Sequence, residues 1–543
     1  MKVILTILLS VFRTVIIPAQ FQDREFTHSE DEIARVVESA RSYFDDQYNG
    51  KMSFQFDIAP IVTLPDGYAY YGANGETEND LHITDGISKA CKMSAQYVDF
   101  SQYDNDGDGR VDVVVVLFAG PSEAESGADN DIMPQQNKIS NHLLPIILNG
   151  CIINEYAAVT ETGLSQELNG PGDLCHEICH ILGLPDFYDT DGPATGGISS
   201  AMWKRTSLMD NGNRNNGGYT PPNFNCIERE LLSIGQGEDV ETGKYILEPV
   251  DKKGRFLKIN CPEEGKFIMA ECRKEEGWDS YIGGSGLLLY YLDRSETAQN
   301  RYWIGNRVNC DPANQCARII EARKDAVSTA EIFFPQKDIN SLSLGRYGIN
   351  LAFTGISISP KGNVVFNVIE PFTRNEISVF QDAAILSWTL DESIADCKCH
   401  IEWKGEVGDS GSFDAGDGRS CTMENLRPRS KYSYTITAKR SDNAEFYLTG
   451  EFTTKALVAG LPPFINLSGA ERDEDGNFTY GTPVPLRISN LVNSENVVWL
   501  FNGRIIETGP DGFYQIRQSG TLTAKVSYID GSIDIISKEI RVR

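Results

Sequence analysis

Cys175-His176-Glu177-Ile178-Cys179-His180-Ile181-Leu182-Gly183-Leu184-Pro185-Asp186 is the stretch from which the rest of the chain can be read. Residues four apart on a helix share a face, about 6 Å apart along the axis, so His176 and His180 can face one ion. Glu177 stands one step round the helix, beside that ion, where a base must stand to deprotonate a metal-polarised water. Gly183 admits the left-handed conformation that ends a helix, and Pro185 prevents the helix from continuing. The chain then turns, and Asp186 can swing back to offer an oxygen as a third ligand. Three protein ligands with one open position describe a catalytic zinc, whereas a structural site closes all four. The bland alternative is a chance H-E-x-x-H on an amphipathic helix, and the placement of Gly183 and Asp186 weighs against it. None of the other four histidines, His28, His82, His142 and His400, has a ligand-like context. Glu155 and Glu161 stay open as competing carboxylates. Cys175 and Cys179 share a face rotated about 100° from that of the histidines, which reads them as buried thiols.

The chain of 543 residues exceeds what one core can organise, and three or four domains are expected. Its formal net charge of -28, from 77 acidic and 49 basic side chains, argues against nucleic acid or an anionic membrane as the main partner. Met1 to Phe12 carries one lysine and then about ten apolar residues, as a short signal peptide does. No later apolar run reaches the roughly 20 residues of a membrane span. The segment from Thr14 to Phe21 reads equally well as a first strand. Twelve cysteines suit an oxidising compartment, and the pairs Cys261–Cys272 and Cys310–Cys316 are close enough in sequence to staple local loops.

Ser29-Glu30-Asp31-Glu32 is a capping box that opens a helix with Ile33, Val36, Val37, Ala40, Tyr43 and Phe44 at helical spacing. Val113 to Phe118 is a continuous apolar run, as in a strand covered on both faces. Helices and strands alternate to about residue 244, and short strands with turns follow. The expected architecture is therefore α/β plus all-β. A catalytic domain spans 13–244 behind a signal peptide at 1–12, and a β-rich subdomain at 245–371 packs on it. Two β-sandwich modules complete the chain. The module at 372–456 carries Trp388 and the sequence Leu426-Arg427-Pro428 before Tyr432, the pattern of a fibronectin type III tyrosine corner. The module at 460–543 reads as immunoglobulin-like, with Asn502-Gly503 and Asp530-Gly531 at hairpin turns.

Asp104-Asn105-Asp106-Gly107-Asp108-Gly109-Arg110-Val111-Asp112 places side-chain oxygens at alternate positions. Asp104, Asp106, Asp108, the carbonyl of Arg110 and Asp112 form a candidate calcium loop that would steady the following strand. Val115 stands where an EF-hand requires a bidentate glutamate, and a solvated acidic turn is the alternative. Met209, in Ser207-Leu208-Met209-Asp210, follows the motif at the distance of a methionine turn, although a lone methionine is often core filler. Tyr219 has the reach to hydrogen-bond a developing oxyanion, and a packing or substrate-groove role fits equally.

Taken together, His176-Glu177-x-x-His180-x-x-Gly183-Leu184-Pro185-Asp186-x-Tyr188-Asp189 resembles the zinc motif of the immune inhibitor A family of secreted bacterial metalloproteases. Tyr103 through Gly120, Ser207-Leu208-Met209-Asp210, Gly218-Tyr219-Thr220-Pro221-Pro222, Gly277-Trp278-Asp279 and Arg307-Val308-Asn309 resemble it too, over roughly residues 14–370. The resemblance implies a metzincin-like zincin fold with zinc on His176, His180 and Asp186. It further implies Glu177 as general base and acid, Met209 beneath the site, and a protein or peptide substrate. An extracellular, monomeric endopeptidase is expected, with surface or glycan contact through the sandwiches. The alternative is an inactive protease-like adhesin. Two departures stand out. Little separates the leader from the first strand where family members carry a propeptide, and Ile132-Met133-Pro134-Gln135-Gln136 replaces the usual tryptophan and histidine.

Overall fold

The computed structural model describes residues 11–543 except 77–78, 251–254, 457–460, 469, 493, 508–511 and 530. These residues form two compact units. The first comprises residues up to 241 together with 245–340 and 356–366, and the second comprises 242–244, 341–355 and 367–543. Most of the expected signal peptide lies outside the described residues.

The first unit is built on a six-stranded sheet. Its strands are β1 (Val11–Phe21), β2 (Ser53–Ile58), β3 (Val62–Leu64), β4 (Val114–Pro121), β5 (Gln135–Lys138) and β6 (Glu155–Thr162), in the order β2-β1-β4-β6-β5, with β3 also on β1. All pairs are parallel except the edge strand β5, which runs antiparallel to β6. β1 takes in Val11 and the buried Phe12, so the strand starts inside the stretch read as a leader. Alternation along the strands divides two cores. Phe12, Ile16, Val113, Val115, Ala157 and Val159 face one side, and Val15, Ile17, Val114, Val116, Phe118 and Ala158 face the other. The apolar run at 113–118 is thus a central strand covered twice, as its composition requires.

Helix α1 (Glu30–Tyr48) covers the first face. Ser29 and Glu32 close the expected capping box, and Ile33, Val37, Ala40, Tyr43 and Phe44 are buried. Helix α2 (Ile83–Ser94) covers the second face. Helix α3 (Gly172–Ile181) carries the histidine motif on the same side as α1. A five-stranded sheet from Gly237–Asp239, Phe256–Asn260, Lys266–Arg273, Gly286–Asp293 and Ala317–Ile320 contributes Phe256, Met269 and Leu288 to that core.

In the second unit, Phe372–Val379, Ala384–Leu390 and Ser420–Met423 form one antiparallel sheet. Lys398–Gly405, Ser410–Gly416, Lys431–Lys439 and Glu445–Thr453 form another. A shared core with Trp388, Ile401, Tyr432 and Ile436 makes this a sandwich. The Tyr432 hydroxyl accepts from the Arg427 N–H at 2.8 Å and donates to Asp409, which forms the expected corner. Further along, a four-stranded antiparallel sheet at 494–540 shares Leu522, Ala524 and Val526 with Ile465, Val484 and Ile516 of two short strand pairs. Asn502 and Gly503 both have positive φ, 50° and 77°, as the type I′ hairpin turn read from them demands. Asp530 of the second expected turn lies outside the described residues. All twelve cysteines are free thiols, and the loops at 261–272 and 310–316 are held without disulfides.

Candidate metal centre

α3 presents the motif because its two ends are fixed. At its start, a Cβ on Gly172 would lie 1.7 Å from the Asn213 carbonyl oxygen, and the Gly172 N–H donates to the Gly218 carbonyl at 3.0 Å. Only glycine permits that approach. At its end, Gly183 has φ +105° and the Leu184 N–H returns to the Cys179 carbonyl at 3.0 Å. The chain reverses there, as its Gly-x-Pro sequence foretells. Cys175 and Cys179 are fully buried, and burial pushes both thiols well above their usual range.

The reversal brings three groups together. His176 Nε2 lies 3.1 Å and His180 Nε2 3.3 Å from Asp186 Oδ1. Two atoms each about 2.05 Å from a tetrahedral zinc would lie about 3.3 Å apart, close to both histidine–aspartate separations, and all three atoms lie within 4.8 Å of one another. The outer nitrogens agree. His176 Nδ1 lies 2.8 Å from the Leu208 carbonyl and His180 Nδ1 2.9 Å from the Leu184 carbonyl. Donation from Nδ1 leaves Nε2 as the inward-facing nitrogen of each ring, the one that would meet a metal on giving up the proton it shares with Asp186.

Glu177 adjoins them, 5% exposed, and its Oε2 has no hydrogen-bond partner. Burial pushes its carboxyl up to about 7, against the pull of His176 and His180. Burial also pushes Asp186 upward, but hydrogen bonds from His176 and His180 outweigh it and hold the carboxyl well below the usual range. Burial lowers His176, yet Asp186, Glu177 and the Leu208 carbonyl outweigh this and raise it to about 9. A buried and a partly buried imidazole facing one anionic carboxylate fit a divalent metal ion such as zinc, with Glu177 beside the three.

Met209 is tied to the segment that follows the motif. It is fully buried, its carbonyl accepts from the Phe187 N–H at 2.7 Å, and its neighbour Leu208 holds His176. Glu228 fixes this turn, accepting from Ser207 Oγ at 2.6 Å and the Met209 N–H at 3.2 Å. Tyr219 is held elsewhere. Its hydroxyl donates to the Leu168 carbonyl at 2.8 Å, and its ring lines a cleft with His28, Glu32, Arg35 and Pro171. The competing carboxylates are engaged as well. Glu161 accepts from Thr27, His28 and Gly120, and Glu155 pairs with Lys138 at 2.7 Å.

Two side chains that sequence reasoning did not assign to the site join it. Tyr188 stacks on His176 with ring centroids 6.4 Å apart. Asn306, 120 residues from Asp186, donates to Asp186 Oδ2 at 2.7 Å. Only the spacing from the motif pointed to Tyr188, and no local signal pointed to Asn306.

In the acidic loop, Asp104, Asp106 and Asp108 offer oxygens within 4.8 Å of one another. Asp112 instead accepts from the Asn105 N–H and amide at 2.7 and 2.9 Å. The Arg110 N–H donates to Asp108 at 2.9 Å.

Residues 16–237 match the family model described as immune inhibitor A peptidase M6, catalytic domain. A protein named immune inhibitor A from Bacillus thuringiensis subsp. alesti is 25% identical over 274 residues, covering 42% of this chain and 39% of that protein. The pre-pro-metalloprotease PrtV of Vibrio cholerae serotype O1 (strain M66-2) is 25% identical over 300 residues, covering 48% of this chain and 31% of that protein. The chain therefore spans well under half the length of these curated relatives. Among solved structures, the fn3 domain of human collagen alpha-1(XX) chain is 22% identical with a TM-score of 0.16, covering 17% of this chain and 88% of that domain. Chicken CNTN1 FN1-FN3 domains are 17% identical with a TM-score of 0.13, covering 32% of this chain and 67% of that one. The expected family resemblance is thus borne out for the catalytic region. The sandwich at 372–453 rests on its own strand order and tyrosine corner.

Proposed function

We propose that the region matching the immune inhibitor A peptidase M6 catalytic domain is a zinc-dependent endopeptidase acting on extracellular proteins. The observation that carries this reading is the convergence of His176 Nε2, His180 Nε2 and Asp186 Oδ1 at ligand spacing, with Glu177 buried beside them. Zinc bound there would supply a Lewis acid that polarises the scissile carbonyl and the attacking water. Leu208 and Leu184 hold the two imidazoles by their outer nitrogens, so both ligand atoms stay aimed at one point. Glu177 takes a proton from the attacking water and returns it to the leaving amine. Tyr188, stacked on His176, walls the site.

Calcium at Asp104, Asp106 and Asp108 is the second cofactor proposed, supported by their convergence. Asn105 ties that loop to β1, accepting from the Arg13 N–H at 2.8 Å and donating to its carbonyl at 2.9 Å. An extracellular location and a surface or glycan contact through the sandwiches complete the reading. No helix among the described residues is long and apolar enough to cross a membrane.

Metal analysis with casein digestion, before and after chelation, tests the proposal. One zinc per chain is expected, with digestion lost to chelator and restored by zinc. A chain that binds zinc yet digests no protein overturns the enzyme reading and leaves a binding scaffold.

A further inference from the structure

The carboxylate that completes the metal centre does not hold itself in place. Asp186 lies past the end of α3 and past Gly183, on a stretch without regular structure. Its side chain could rotate away from both imidazoles. Asn306 opposes that rotation with two hydrogen bonds, and the Tyr188 side chain hydrogen-bonds the same carboxyl group. The Asn306 amide nitrogen donates to Asp186 Oδ2 at 2.7 Å, and Asn306 Oδ1 accepts from the Asp186 backbone N–H at 2.8 Å. A planar amide that grips the N–H and the carboxylate of one residue fixes its backbone and its rotamer together. Oδ1 is then left facing His176 and His180.

Asn306 is itself constrained. Its φ of 53° is left-handed, a conformation asparagine tolerates better than most residues. It follows a π-helical turn at Gln299–Trp303, and its carbonyl accepts from Thr190 Oγ1 at 2.9 Å. Nearby, Asn309 donates to the Phe187 carbonyl at 2.9 Å, and Arg307 pairs with Asp191 at 2.7 Å. Asn306 and Asn309 therefore hold the turn after the motif, Arg307 pairs beyond it with Asp191, and within this segment only Asn306 touches the proposed ligand side chain.

We infer that Asn306 is the positioning residue for the third metal ligand. The metal centre is then incomplete within residues 16–237, because the group that orients Asp186 comes from the β-rich part of the chain. The inference rests on the zinc reading above. Losing the amide would leave Asp186 Oδ2 without the Asn306 donor and the carboxylate less firmly oriented. Loss of such an outer-shell partner costs about 10–100-fold in metal affinity.

The test uses the full chain, stripped of metal and titrated with zinc against a chromophoric chelator, then with cobalt(II) as a spectroscopic probe. Asn306→Ala and the nearly isosteric Asn306→Asp are compared with the wild type and with Arg307→Ala. The Asp variant keeps the acceptor for the Asp186 N–H and replaces only the donor to Oδ2. Both Asn306 variants are expected to weaken zinc binding by about 10–100-fold and to change the visible cobalt spectrum. Arg307→Ala cuts the same segment's ion pair and should leave both readouts at wild-type values. Zinc affinity and a cobalt spectrum unchanged in Asn306→Asp overturn the inference, even if Asn306→Ala fails to fold. Failure of the zinc reading looks different. The wild type then takes up no zinc that His176→Ala abolishes, and both proposals fall.

Discussion

The two acidic clusters of the first unit, one on α3 and one at 104–112, share a density of carboxylates and differ in what those carboxylates already do. At α3, the ligand atoms face one another while every outer atom is held by a neighbour: His176 by Leu208, His180 by Leu184, Asp186 by Asn306. In the loop, the carboxylates also accept from the loop's own backbone. Asp104 takes the N–H groups of Asp108 and Gly109, and Asp106 that of Asp108. His176, Glu177 and Asp186 are buried and His180 is partly so, whereas Asp106 and Asp108 of the loop are exposed. Ligand atoms that converge away from water while their outer atoms are already held make the first arrangement a preformed place for a cation. The second is largely satisfied as a turn and gains less from one.

The sharpest way to break this contrast is Glu177→Gln. It should lower protein digestion by about 10²–10⁴-fold and leave zinc content at one per chain, read by metal analysis and initial rates. Undiminished digestion would remove Glu177 from the chemistry.

Zinc removal comes next. At a thousandfold excess over its dissociation constant, zinc should stabilise the chain by about 4 kcal/mol, seen as a fall in the unfolding midpoint on chelation. His176→Ala should erase that dependence, and a midpoint insensitive to chelator in the wild type would count against the buried site.

A third acid, buried but outside both clusters, calibrates the cost of burial alone. Asp80 accepts from the Met133 N–H at 3.0 Å and from the Gln135 amide at 2.8 Å, while its Oδ1 has no partner. Burial pushes its carboxyl from 3.8 up to about 7. Between those values the folded chain keeps a proton that the unfolded chain releases, so this group's contribution to stability falls as pH rises through the window. Asn at position 80 keeps the acceptor, carries no charge and suits the φ of 52°. Asp80→Asn should raise stability at pH 8 by about 2–4 kcal/mol and have little effect at pH 4. Denaturant titrations at both pH values check this, and an equal effect at the two would refute it.

The smallest effect belongs to the loop. Calcium in millimolar amount should raise the unfolding midpoint by about 2–4 °C, and Asp106→Asn should abolish the gain. A shift as large as that given by zinc would dissolve the contrast between the clusters.

Much of this was legible before folding. The capping box at Ser29, the doubly covered strand at 113–118, the turn at Gly183, the Tyr432 corner and the 502–503 hairpin follow from periodicity and turn chemistry within a few residues. Their outcomes are governed by local sterics, which neighbouring residues encode. The loops at 261–272 and 310–316 went the other way, because closeness in sequence does not set the geometry a disulfide needs.

The candidate metal centre divides along the same line. Helical spacing aligns His176 with His180, and a glycine followed by proline returns Asp186 toward them; both follow from neighbouring residues. Which outer atoms complete the centre was decided by how the sheets and loops pack. That packing brought Leu208 to His176 across 32 positions and Asn306 to Asp186 across 120. It also took Glu161 away to His28, Asp112 to Asn105 and the Tyr219 hydroxyl to Leu168. A side chain's partner at such separation depends on the whole arrangement of cores, and no short-range pattern carries that information.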